Sequence, residues 1–395
     1  MSERVAAECL SSDESCPPDD SDRRYRNPSQ GQANLLSCLL LKESPVPLPQ
    51  RILLLAVALI AALGVSACSS ADQDNKDAAS SGAGFPVTIT HVHGTTTIPS
   101  APKRVVTIGW ITQDVVAALG VVPVGVDQSW GGDDEGFTPW FRNQVQNVLK
   151  ADMPTALAQG EEPDFEKILQ LRPDLILAPH SGVTETQYKR LSQIAPTVAY
   201  NTQAWRSGTW KDLTNVVAKA LGKQDRAEEV IAATQKQITA AAEANPVLKG
   251  RSFLYGPTLS PGSTELGVYV SSDPRVAFLR EFGLVDTPDL AKAVGNVGAD
   301  DFYGAMSLEK LGTVRADMFV GWSPSAQETK DTLTNPAFSR WAPIASGHSL
   351  IVQSDQMGMA TNGPSPLSIP WAIDKGFVGD LASAADGRPV VIEAQ

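Results

Sequence analysis

A stretch written twice constrains this chain more than any other feature. Laid without a gap over SLEKLGTVRADMFVGW at 307–322, DFEKILQLRPDLILAP at 164–179 repeats it 143 residues earlier. Both copies carry Glu-Lys (Glu166-Lys167, Glu309-Lys310), an arginine (Arg172, Arg315) and an aspartate (Asp174, Asp317). Apolar residues match at 165/308, 168/311, 171/314 and 175–177/318–320. Each copy reads as a short helix followed by a buried strand, capped at its start by Asp164 or Ser307. Two such units in one chain predict two similar lobes.

The order of elements around the repeat agrees. From Phe85 onward strand and helix patterns alternate: RVVTIG, then TQDVVAALG, PVGVD, DFEKILQL, DLILAP, ETQYKRLSQIA and TVAY. This βαβα order argues for a mainly parallel sheet flanked by helices. Between 210 and 248 the alternation stops, because WKDLTNVVAKALG and QDRAEEVIAATQKQITAAAEANP follow one another with no strand between them. The second of these is long enough, at 1.5 Å per residue, to reach about 33 Å. Strand and helix alternate again from Arg251. The fold class expected is therefore α/β, two lobes each with a mainly parallel sheet, joined by one long backbone helix. The boundaries read as 85–222 for the first lobe, 223–248 for the linking helix and 249–395 for the second lobe.

The first 84 residues stand outside that pattern. Residues 52–67 form a 16-residue apolar run behind Arg51, short of the ~20 residues that span a bilayer. It reads as the core of a signal peptide, so that 1–67 is leader and signal. Val65-Ser66-Ala67-Cys68 resembles the lipobox of bacterial lipoproteins, which implies that Cys68 carries a lipid and that 68–84 is a tether. Acyl chains at ~0.8 kcal/mol per buried CH₂ would hold the protein at the outer face of the cell membrane. The polar stretch 1–45, with Cys9, Cys16 and Cys38, is unlike a signal peptide, and a start near Val46 would remove it. No cysteine follows Cys68, so the mature fold has neither disulfide nor thiolate metal site.

Taken in order, TTTIPSAPKRVVTIGW, EPDFEKILQLRPDLILAPHSGVTETQYKRLSQIAPTV, WKDLTNVVAKALGKQDRAEEV and PLSIPWAID resemble the substrate-binding proteins of bacterial ABC importers. The class is the one that carries iron-siderophores, haem and vitamin B12 and links its lobes by a single helix. The resemblance covers roughly 85–395. It implies a monomer that captures a ferric siderophore and presents it to a dimeric ABC permease, with no cofactor of its own. The resemblance implies that a glutamate on each lobe meets arginines of the two permease subunits, and Glu166 and Glu309 match those positions. Each also suits the first turn of a helix, where a carboxylate is favoured by the dipole.

Ligand contacts in open α/β lobes come from loops beyond the carboxyl ends of strands. Those positions offer Trp110, Trp130, His180, Tyr200, Trp205 and Arg206 in the first lobe, and Tyr255, Tyr269, Tyr303 and Trp322 in the second. Aromatic walls with one or two cations suit a bulky, often anionic chelate. Haem or a corrinoid is the alternative cargo, with His180 as an axial iron ligand and Tyr255 or Tyr269 opposite. Direct metal capture needs three or four convergent ligands. The chain has four histidines, and His91 and His93 are read as strand residues sharing one face.

A net charge of −12 without basic stripes argues against nucleic acid as a partner. None of the common catalytic motifs of hydrolases, metalloproteases or nucleotide-binding enzymes occurs. The acids of GGDDEG at 131–136 read as a solvated loop rather than a hydrolytic pair. An envelope sensor or scaffold lipoprotein on the same fold is the remaining alternative from another class.

Overall fold

The structure, a computed structural model, describes residues 84–206, 208–295, 297–298 and 301–393. The leader, the apolar run and Cys68 lie outside the described residues. Among the described residues no helix is long and apolar enough to cross a membrane.

Strands β1 (Val87–His91) and β2 (Gly94–Ile98) form an antiparallel hairpin. They are followed by β3 (Val105–Gly109), β4 (Gly125–Asp127), β5 (Thr155–Leu157), β6 (Leu175–His180) and β7 (Thr197–Val198). The last five make one all-parallel sheet in the order β5-β4-β3-β6-β7. β3 and β6 are buried along their whole length, as apolar runs covered on both faces must be.

After the helix Gln224–Ala244 come β8 (Ser252–Pro257), β9 (Glu265–Tyr269), β10 (Val285–Asp286), β11 (Tyr303–Ser307), β12 (Met318–Trp322), β13 (Ser349–Val352) and β14 (Val390–Ile392). Five of them make a second parallel sheet in the order β10-β8-β12-β13-β14, while β9 and β11 pair antiparallel beside it. The two-lobed α/β reading holds. The helix between the lobes buries Ala227, Val230, Thr234 and Ile238 at the three-to-four residue spacing of one helical face.

The sheet orders explain part of the repeat. In each lobe the repeated unit supplies the strand that pairs with the first strand of the parallel sheet, β6 with β3 and β12 with β8. The repeated aspartate ties those two strands together at their starts. Asp174 accepts from the backbone N–H groups of Lys103 and Arg104 at 2.8 Å, and its own N–H donates to the Arg104 carbonyl. Asp317 accepts from the Ser252 N–H at 2.7 Å and from its hydroxyl at 2.8 Å, and its N–H donates to the Ser252 carbonyl. Replacing either aspartate by alanine is expected to cost about 1–2 kcal/mol, as charge-assisted bonds at a partly solvated strand end are lost. The two losses should add, since the sites share no partner. Urea denaturation measures this, and unchanged midpoints would show that water replaces the carboxylates without cost.

Two local expectations are corrected. The second copy of the repeat begins with a 3₁₀ helix, Leu308–Thr313, where the first has an α-helix, Phe165–Gln170. Gly312 stands where the first copy has Leu169, and glycine weakens the longer helix. His91 ends β1 but His93 lies in the hairpin turn, so the two do not share a strand face. His91 Nε2 bonds to Thr96 Oγ1 at 2.9 Å, and His93 Nε2 bonds to the Val183 carbonyl at 2.8 Å.

The C-terminal part of the chain also braces the first lobe. Ser365 Oγ donates to Asp114 at 2.7 Å, and the Trp371 ring lies 4.9 Å from Trp140. The Asp114 carboxylate takes a second bond from Trp140 Nε1, and burial pushes its pKa up to about 7.

Candidate ligand-binding site

Each parallel sheet has a point where successive connections leave in opposite directions, and a crevice opens there at the carboxyl ends of the strands. In the first lobe the crevice lies between β3 and β6, and in the second between β8 and β12. The residues closing those strands are Gly109, His180, Pro257 and Trp322.

Gly109 turns the chain at a φ of +101°, and a Cβ there would lie 2.0 Å from the His180 carbonyl oxygen, so no other residue fits. Its N–H donates to the Asp127 carboxylate at 2.9 Å, and burial pushes that acid up to about 7. Trp110 is thereby carried to the mouth of the crevice. His180 is 6% exposed. Burial, with the Arg275 charge nearby, pushes its imidazole down to about 4 and leaves it neutral at pH 7, although Asp273 pulls the other way.

Five of the expected residues meet here. The ring centroids of Trp110 lie 5.0 Å from Trp205, 6.2 Å from Trp130 and 6.5 Å from His180. Trp130 continues to Trp322 of the second lobe at 5.8 Å. The rings form one chain from the first lobe to the second. Trp205 joins it from a left-handed backbone at φ +63°, its N–H held by the Ser181 carbonyl. Gly358 makes room on the other side, since a Cβ there would stand 2.7 Å from Trp322 Nε1 and 3.1 Å from Trp130. The rings pack closely on one another, and the cavity beside His180, Trp210, Pro274 and Pro364 is only about 10 Å³, room for no more than one water.

The other expected residues take different places. Arg206 reaches across to the second lobe, donating to the Asp301 carbonyl at 2.9 Å and to Ser272 Oγ at 2.5 Å. Tyr255 and Tyr269 are buried against each other at 5.0 Å, and Tyr255 Oη donates to Asn362 Oδ1 at 3.2 Å. Burial pushes both phenols up. Tyr303 pairs opposite Tyr269 in the antiparallel β9-β11 pair and packs on Phe302. Tyr200 faces His93 at 5.5 Å, and no ring contact links it to the tryptophans among the described residues. No group of three or more His, Cys, Asp and Glu able to hold a metal occurs among the described residues.

Sequence reasoning passed over Arg275 and Asp273. Arg275 lies over the Tyr269 ring at 3.8 Å and bonds to both Asp273 oxygens at 2.8 Å. Asp-Pro at 273–274 signals only a helix start, and Asp273 is indeed the N-cap of Pro274–Arg280. The role of the arginine depends on Tyr269 at the end of β9, six residues earlier and outside its helix, which no local pattern reports.

Glu166 and Glu309 are exposed, each in the first turn of its helix behind a side-chain cap from Asp164 or Ser307. Neither carboxylate makes a hydrogen bond or ion pair among the described residues. Asp174 and Asp317 of the same repeat do make structural bonds, so the two glutamates are the repeated pair that the fold leaves unused. Beside Glu166, an open groove of about 360 Å³ is lined by Phe165, Leu169, Arg190, Gln193 and Ile194, with Leu169 59% exposed.

Comparison with known proteins gives three kinds of match. A sequence model described as periplasmic binding protein matches residues 105–347. The "Probable siderophore-binding lipoprotein YfiY" of Bacillus subtilis is 36% identical over 193 residues, 48% of this chain and 54% of that protein. The chain thus spans about half the length of that relative. The Fe(3+)-citrate-binding protein YfmC of the same organism is 27% identical over 301 residues, 75% of this chain and 87% of the relative. The crystal structure of Streptococcus pneumoniae PiaA in complex with ferrichrome superposes with a TM-score of 0.68 at 27% identity, covering 76% of this chain and 99% of that one.

Proposed function

The chain belongs to the periplasmic binding protein family, and from that membership we propose that it captures a ferric siderophore outside the cytoplasm and delivers it to an ABC importer. The observation that carries this reading is the chain of rings that joins the two crevices. Four tryptophans and a neutral histidine give apolar, polarisable walls to a ligand held between lobes. The ligands named for the relatives, a siderophore, ferric citrate and ferrichrome, are all iron chelates or iron-chelating molecules.

Delivery rests on Glu166 and Glu309, which offer one unpaired carboxylate on each lobe to the two subunits of a permease. Retention at the membrane rests on Cys68 as the lipid-bearing residue, with 69–84 as the tether. Haem has less support: an iron-bound tyrosine is a phenolate, and burial pushes both Tyr255 and Tyr269 away from that form.

The test is a titration of the purified protein, followed by tryptophan fluorescence, with ferric siderophores, haem, cyanocobalamin and free ferric or zinc ions. Saturable quenching at submicromolar concentration by a ferric siderophore alone is expected, because the chelate would lie against the site tryptophans. Saturation by haem and by no siderophore would overturn the reading.

A further inference from the structure

Resting on the iron-chelate reading, we propose that the ligand is an uncharged or cationic ferric hydroxamate, and that this site rejects polyanionic ferric catecholates. The charges at the carboxyl ends of the strands carry the argument. The loops there contain no lysine from 127 to 136, from 199 to 206, from 257 to 264, from 270 to 275 or from 323 to 328. Three arginines lie at or beside these loops, and each is engaged. Arg275 is closed on Asp273 by two bonds. Arg142 pairs with Asp133 and Glu135 at 2.6 Å. Arg206 donates to the Asp301 carbonyl and the Ser272 hydroxyl, neutral partners that hold its side chain across the lobes and leave one positive charge against the acids of the rim. Asp134 and Asp355 remain without an ion pair among the described residues, and Asp127, pushed up to about 7 by burial, adds a further partial negative charge. His180 contributes no positive charge at neutral pH. The rim of the site is therefore acidic in balance, and a cleft with low-dielectric walls amplifies such a field.

The free hydrogen-bonding groups are neutral. Trp322 Nε1 is a buried donor without an acceptor, and Ser129, Thr258 and Thr112 each have a buried hydroxyl without a partner. Trp322 ends β12 and Thr258 follows β8, the strands that border the second crevice, while Thr112 lies three residues past β3, which borders the first, and Ser129 two residues past the adjoining β4. Buried polar groups normally find partners, so a ligand that offers amide and hydroxamate oxygens would complete them. Three hydroxamates, each carrying one negative charge, cancel the charge of ferric iron. Three catecholates, each carrying two, leave a trianion. Against this rim the first is neutral cargo and the second is repelled, since like charges brought together at an interface oppose binding. This replaces the anionic chelate expected from sequence, because the arginines that would hold it are already occupied.

The test uses three probes on the purified protein: ferrichrome, which is neutral, ferrioxamine B, a monocation, and ferric enterobactin, a trianion. Ferrichrome and ferrioxamine B are expected to bind at least about 100-fold more tightly than ferric enterobactin. Salt should weaken ferrioxamine B and should not weaken ferrichrome, as screening acts only on a charged ligand. The exposed-loop variant Asp134→Lys should narrow the gap between ferrioxamine B and ferric enterobactin several-fold. Ferric enterobactin binding as tightly as ferrichrome would overturn the charge argument and leave the iron-chelate reading standing. Failure of all three chelates to bind would overturn both.

Discussion

With both Glu166 and Glu309 changed to alanine, cells are expected to lose most uptake of labelled ferric chelate while the purified protein binds that chelate as before. The structure supplies the reason for the split. Both residues are exposed and lie in the helices that precede β6 and β12, whereas the ring chain stands at the carboxyl ends of those strands. A helix leading into a strand meets it at the amino end, so the two glutamates and the ring chain stand at opposite ends of the same two units. Losing two charge-assisted contacts of about 1.5–3 kcal/mol each would weaken docking by at least 100-fold. Stability should change by no more than about 0.3–1 kcal/mol per site, the usual value of a first-turn carboxylate, and less at Glu309 because its helix is a short 3₁₀ turn. Each single variant should keep part of the uptake. Normal uptake by the double variant would make the repeat a matter of strand pairing alone, the role already filled by Asp174 and Asp317. Loss of chelate binding would place the glutamates at the ligand.

Trp322→Ala is expected to weaken chelate binding by about 100-fold or more, the loss typical of an aromatic residue at the centre of an interface. Trp322 is the ring through which the second lobe joins the chain, 5.8 Å from Trp130. Its Nε1 is also the buried donor without an acceptor. Trp322→Phe separates the two contributions, because it keeps an aromatic face and removes the N–H. An intermediate loss of about tenfold is expected if a ligand oxygen takes that bond. Equal affinity of Trp322→Phe and the parent protein would mean that the donor meets no ligand. The Trp322→Ala variant should remain folded, since the residue ends β12 at the lobe surface and is only partly buried. Circular dichroism and a urea midpoint check that point, and unchanged affinity in the alanine variant would remove the ring chain from the binding site.

Several features were legible without coordinates because their causes are local. Two-residue alternation and unbroken apolar runs report strands, three-to-four residue spacing reports helices, and caps at Asp164 and Ser307 report where helices begin. From these came the two parallel sheets, the helix Gln224–Ala244 between them, and the placement of Trp110, Trp130, His180, Trp205 and Trp322 at strand ends. A strand end is a position in sequence, but which strand ends meet is not. Sheet orders β5-β4-β3-β6-β7 and β10-β8-β12-β13-β14 are set by contacts between residues far apart in the chain, and they decide which rings face one another.

Tertiary structure alone decided that Tyr200 turns to His93, that Tyr255 and Tyr269 are buried against each other, and that Arg206 spans the lobes. It also decided the charge of the site. An arginine in a sequence is a cation, yet Arg275 is closed by Asp273 and Arg142 by Asp133 and Glu135 only once the backbone has brought them together. The repeated aspartates show the same division most clearly: their recurrence could be read from the chain, but their bonds to Lys103, Arg104 and Ser252 exist only because the sheet sets β6 beside β3 and β12 beside β8. Local periodicity is written in neighbouring residues, whereas convergence at a site depends on long-range packing that no short segment encodes.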